Sequence, residues 1–170
     1  MVSVIAPLLV KLTQTMGVTS HYAVLDATDA VYLCKEDPPK LGVQLASSIG
    51  ARLPAHVTAV GKACLAWLPD EAVAEHVELS VTSARTRKHR LEELAKELEQ
   101  VRELGFSKDD GETAAGIRCV AAPVFALSGP CGAIGVSYLL GAGASPENIV
   151  DQVVEAASEA TSLLGGRVAR

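Results

Sequence analysis

The tightest constraint on this chain is a pair of apolar runs, IRCVAAPVFAL (117–127) and CGAIGVSYLL (131–140), separated only by Ser128, Gly129 and Pro130. A parallel return needs a crossover of a dozen or more residues, so three turn residues force the two runs into an antiparallel hairpin. Pro123 has no amide hydrogen to give to a neighbouring strand, which places it at an edge or a bulge. A second hairpin is expected nearer the start. HYAVLD (21–26) and AVYLCKE (30–36) are β-prone and are joined across Ala27, Thr28 and Asp29. After Pro38 and Pro39, LGVQLASSIG puts Leu41, Val43, Leu45 and Ser47 on one face of a predicted third strand.

Between and around these strands the hydrophobic period changes to that of helices. Ile5, Leu9, Leu12 and Met16 form one stripe, and Gly17 stands where a C-cap belongs. A short helix is expected over Thr58 to Leu68, and Pro69-Asp70-Glu71 starts another. A third runs from Lys88 to Leu104, with Leu91, Leu94, Ala95, Leu98 and Val101 buried, Glu92 paired with Lys96, and Gly105 ending it. Ser145-Pro146-Glu147 opens a last helix with Ile149, Val153, Ala157, Ala160 and Leu164 on its apolar face. The order is helix, three strands, three helices, two strands, helix. Hairpin connections in that order predict an α+β domain whose antiparallel sheet carries helices.

Composition narrows the function classes. Fifteen basic against twenty acidic residues leave a net charge of -5, which argues against a chain that wraps nucleic acid by releasing counterions. No apolar window is long enough for a membrane span, and MVSVIAPLLV lacks a basic leader, so a soluble cytoplasmic protein is expected. Cys34, Cys64, Cys119 and Cys131 are dispersed and read as reduced, buried thiols. His21, His56, His76 and His89 show no metal-ligand spacing, and no metal or cofactor is expected. Only 4% of residues are aromatic, so the core is built from Ala, Val, Leu and Ile.

Residues 53–67, LPAHVTAVGKACLAW, carry a Gly-Lys pair. A phosphate loop needs glycine five positions earlier and a hydroxyl just after; here those positions are His56 and Ala63, and that reading fails. A tightly packed helix suits the residues better. Thr58 can cap it, and Ala59, Gly61, Ala63 and Ala66 leave a flat face for a neighbour to approach. A capped helix start free of bulky side chains also suits an anion, held through the backbone of Ala59 and Val60. Lys62 is expected to snorkel along the helix, and Asp109 and Asp110 to form turns on a solvated loop, where Asp109 could also accept a hydrogen bond from a ligand hydroxyl.

LPAHVTAVGKACLAWLPDE resembles a segment of the effector-binding domain of the isocitrate lyase regulator (IclR) family. GVTSHYAVLDATDAVYL, ELEQVRELGFSKDDGETAAGIRCVAAPVFALSGPCGAIGVS and the C-terminal helix follow in that family's order and spacing. The likeness runs from about residue 8 to 165. It implies a GAF-like fold: a curved antiparallel sheet with the terminal helices on one face and an effector pocket on the other. It also implies that residues 1–170 are a sensor domain, with 1–17 as linker and first helix. A winged helix-turn-helix normally precedes such a domain and is absent from this chain, so any contact with DNA is expected through that missing part. The implied partners are a small organic acid or aromatic metabolite and further copies of the chain, as a homodimer or tetramer.

The resemblance carries pocket positions over residue by residue. Leu45 and Leu53 match apolar lining positions, Ala59 and Val60 the helix start that meets ligand oxygens, and Asp109, Ile117 and Cys119 the polar corner and the strand after it. Gly135 and Ser137 match small or hydroxyl positions on the last strand. Ile117, Cys119 and Ser137 alternate with neighbours that face away, as one strand face looking into a cavity requires. Three positions depart from the family pattern: Gly135 where a serine is usual, Gly111 in place of an acid, and Tyr138 where glycine is usual. They predict a pocket more apolar than that of a glyoxylate or pyruvate sensor, suited to an aromatic or longer-chain acid. No catalytic residue is expected. The competing readings are a stand-alone association domain and a small acyl hydrolase using Cys119 as nucleophile with a histidine base.

Overall fold

The computed structural model describes residues 1–39, 48–139 and 146–167. Helix α1 spans Val2–Met16 and ends on Gly17, whose left-handed backbone (φ 66°) lets its amide donate to the Thr13 carbonyl at 2.8 Å. Strands β1 (Thr19–Asp26) and β2 (Asp29–Glu36) form the expected hairpin, and β5 (Ile117–Ala126) and β6 (Gly129–Leu139) form the second. Helices α2 (Ala59–Leu65), α3 (Asp70–Ser80) and α4 (Ala84–Leu104) lie between the hairpins, and α5 (Pro146–Leu163) closes the fold. Helix α4 begins four residues earlier than the hydrophobic stripe suggests, because the Ser83 side chain accepts from the Thr86 amide and starts it there.

Two short strands complete the sheet. β3 (Arg52–Pro54) pairs with β2, and β4 (Ser107–Asp109) pairs with β5. The curved, six-stranded antiparallel sheet has the order β3-β2-β1-β6-β5-β4. The α+β architecture expected from the sequence is therefore the one observed. The predicted strand over 41–47, with Leu45, lies outside the described residues, and Ser48 to Gly50, expected to continue it, lie at a turn. Pro123 lies two residues past the end of the β4 pairing and just before a register shift at Val124/Phe125, so no β4 carbonyl stands opposite the amide hydrogen that it lacks.

Side chains alternate across the sheet with period two, and the two faces do different work. On one face Tyr22, Val120, Ala122, Val124, Ile134 and Val136 pack against Ile5, Leu9 and Leu12 of α1 and Ile149, Val153, Ala157 and Ala160 of α5. On the other, Ala23, Ala121 and Ala133 meet Ala59, Val60, Ala63 and Cys64 of α2. These small residues bring α2 close to the sheet. A third cluster, with Leu65, Val77, Leu94, Leu98 and Val101, ties α3 and α4 behind α2.

Candidate functional site

The start of α2 is fixed from three sides. The Thr58 hydroxyl oxygen accepts from the Gly61 amide at 3.1 Å. Gly61 lies directly on the backbone of Ala55, whose Cα stands 2.5 Å from where a β-carbon would be, so no larger residue fits. From β4 the Ser107 hydroxyl donates to the Ala59 carbonyl at 2.6 Å. As at any helix start, the Ala59 and Val60 amides have no acceptor within the helix.

Opposite this helix start the sheet sets residues side by side. Asp109, Cys119 and Ser137 are directly paired across β4, β5 and β6 and so share a face. One step along, Ala121, Gly135 and His21 form the next row on that face. The hollow between these rows and α2 opens to solvent and has a cavity volume of about 30 Å3. Leu53, Ala59, Val60, Asp109, Ile117, Cys119 and Ser137 all line it, as do His21, Tyr32, Thr58, Thr113 and Ala114.

Each polar group has a definite state. The Cys119 thiol and the Ser137 hydroxyl are 3.2 Å apart, and burial pushes that thiol up to about 11. It is protonated at neutral pH and a poor nucleophile. Asp109 is buried rather than solvated. One carboxylate oxygen accepts from the amides of Gly111 (3.0 Å), Glu112 (2.7 Å) and Thr113 (3.4 Å), which fold the corner back over it. Asp110 is the exposed member of the pair and meets Arg118 at 2.5 Å. His21 is fully buried, its ring edge-on to Tyr32 with centroids 5.1 Å apart; burial, reinforced by Lys35, lowers it to about 3 and keeps it neutral.

Gly135 stands behind the wall rather than in it. A β-carbon there would come within 2.8 Å of His21 Nε2 and 3.0 Å of a Val60 methyl. The place of a side chain at 135 is thus taken by the imidazole. Lys62 does not snorkel. It is 2% exposed, and its ammonium meets Glu97 of α4 at 2.7 Å and Glu112 of the corner at 2.5 Å. Arg90 joins the same two carboxylates at 2.9 and 3.2 Å and donates to the His56 carbonyl. Two cations and two anions therefore balance beside the cavity, and no lysine or arginine among the described residues lines it.

His21 and Tyr32 escaped the sequence reading because neither sits in a recognisable motif. The available signal was a histidine within a strand of otherwise apolar, alternating residues. Among the described residues no three His, Cys, Asp or Glu side chains gather as a metal site would require. None of the helices is long and apolar enough to cross a membrane, again among the described residues.

Comparison with known proteins places this geometry. The family model described as the bacterial transcriptional regulator IclR C-terminal domain matches residues 1–162. The chain is 38% identical over 120 residues to the HTH-type transcriptional regulator XynR of Escherichia coli, covering 69% of this chain and 47% of XynR. It is 31% identical to the acetate operon repressor of Salmonella typhimurium, covering 98% of this chain and 63% of the repressor. In three dimensions it is similar to the C-terminal domain of the E. coli regulator KdgR, with TM-score 0.78, 28% identity, and 96% and 98% of the two chains covered. These relatives are transcriptional regulators, not enzymes. The chain belongs to the IclR family of bacterial transcriptional regulators and corresponds to their C-terminal domain.

Proposed function

We propose that this chain is the effector-sensing and oligomerising part of a cytoplasmic transcription regulator. Its cavity takes a small organic acid or an aromatic catabolite, and occupancy alters how a winged helix-turn-helix attached ahead of residues 1–17 holds DNA. The observation that carries this reading is the shared lining of one hollow by Leu53, Ala59, Val60, Asp109, Ile117, Cys119 and Ser137, drawn from β3, α2, β4, β5 and β6. Residues so far apart in sequence meet there around apolar walls with a few polar groups, the usual make-up of a small-molecule site. The net charge of -5 supports a DNA contact made through another domain rather than this one.

A thermal-shift panel of metabolites tests the reading. A ligand at a hundred times its dissociation constant stabilises the folded chain by about 2.7 kcal/mol. At least one organic acid or aromatic compound is expected to raise the melting temperature, and Ser137→Leu, which fills the hollow, to abolish that rise. If no compound stabilises the chain while light scattering finds stable oligomers, the association reading replaces this one.

A further inference from the structure

We propose that His21 is a specificity-determining residue of this cavity, which reads a hydroxyl group on the bound molecule. This rests on the sensor reading above and goes beyond it by naming the reader and the chemical group it reads.

Several of the other polar groups of the wall are engaged, although the Tyr32 hydroxyl has no hydrogen bond among the described residues. The Thr58 hydroxyl oxygen accepts from Gly61, one Asp109 oxygen accepts from three amides, and Cys119 and Ser137 face each other. His21 is 1% exposed, lines the cavity, and has no hydrogen bond to either ring nitrogen among the described residues, with Nδ1 fully buried. Thr113 Oγ1 is also buried without a partner, but it sits in the corner and its hydroxyl is free to rotate. The imidazole is held in place, edge-on to Tyr32 and seated over the space that Gly135 leaves open. A buried nitrogen without a partner is unfavourable until something pairs with it.

The partner group follows from the surroundings. A neutral imidazole has one donor and one acceptor nitrogen, and a hydroxyl can pair with either. A carboxylate can only accept, and among the described residues it would find no lysine or arginine on the wall, since Lys35 is committed to Asp37, and Lys62 and Arg90 to Glu97 and Glu112. The fitting ligand is therefore a compact molecule with a hydroxyl at the His21 end and any acid group elsewhere.

Matched pairs test this on the complete chain: 4-hydroxybenzoate against benzoate, and 3-hydroxybutyrate against butyrate, by calorimetry. At least one hydroxylated member is expected to bind about tenfold tighter than its deoxy partner. In His21→Phe that preference disappears, the two members of each pair binding alike. On the unaltered chain, where no substitution can disturb folding, the imidazole nitrogen resonances of His21 shift with the hydroxylated member and not with the other. Equal affinities within both pairs, a preference surviving in His21→Phe, or unmoved His21 resonances with a hydroxylated compound bound would each overturn the assignment alone. Failure of all four compounds to bind overturns it as well. Failure of a whole metabolite panel removes the sensor reading itself.

Discussion

Lys62 Nζ lies 2.5 Å from a carboxylate oxygen of Glu112, joining the glycine-containing helix to the corner that folds over the cavity. The lysine is buried, while the two carboxylates it meets are about one third exposed (32% each). Replacing one member of such a set leaves its partners in poorly solvated positions, which costs more than the intact set contributes. Lys62→Met is expected to lower stability by about 3 kcal/mol, read as a reduced urea midpoint. An unchanged midpoint would show that the network carries no stability.

Gly61 has no room to grow. A β-carbon there overlaps the Ala55 carbonyl oxygen, which belongs to the backbone and has no rotamer to escape into. Gly61→Ala should cost about 2 to 3 kcal/mol despite alanine's better helix propensity, because overpacking outweighs the gain of about 1 kcal/mol. Chemical denaturation checks the sign: a stabilised variant would mean that α2 can slide away from the loop before it.

Buried His21 and half-buried Cys119 should shape the pH dependence of stability from opposite sides. His21 titrates near 3 when folded against the ordinary 6.5, because burial, and then Lys35, disfavour its charged form. The unfolded chain takes up that proton first, so this contribution is complete above pH 6.5 and is lost as pH falls toward 3. Cys119 is raised by burial from 9 to about 11, so its contribution is complete below pH 9 and is lost as pH rises toward 11. Urea midpoints of His21→Gln should fall less between pH 7 and 5 than those of the parent, and those of Cys119→Ala less between pH 9 and 10.5. Parallel curves for variant and parent would contradict the assignment.

Ligand size offers a further check. Leu53, Val60, Ala114 and Ile117 make much of the cavity wall apolar, and no lysine or arginine among the described residues lines it. Benzoate-sized or longer-chain acids are expected to raise the melting temperature more than glyoxylate or pyruvate at equal concentration. Stabilisation by two- and three-carbon acids alone would rule out the apolar character argued for the site.

Much of the fold was legible because its signals are local. Gly17 and Gly105 end their helices where the apolar stripes end, and the short break between the two runs is enough to require the β5–β6 pairing, although the turn is Leu127–Ser128 and Gly129 and Pro130 already belong to β6. β3 and β4 were not legible, since three residues are too few to show a period. The engagement of Lys62 was hidden for another reason: its partners stand 35 and 50 residues away in the chain and are brought in by tertiary packing. Asp109 looked like an ordinary turn acid because nothing in KDDGET says which of its two aspartates the corner will wrap. The role of Gly135 is likewise a relation between strands, visible only once His21 is seen filling its space.

Ser20 and His21 are consecutive in β1 and point to opposite sides of the sheet. The imidazole forms part of the hollow, whereas the Ser20 hydroxyl donates to the Leu9 carbonyl at 2.9 Å and lies 2.7 Å from the Thr13 hydroxyl, both in α1. Only one peptide linkage separates the chamber's interior from the cradle of the amino-terminal helix.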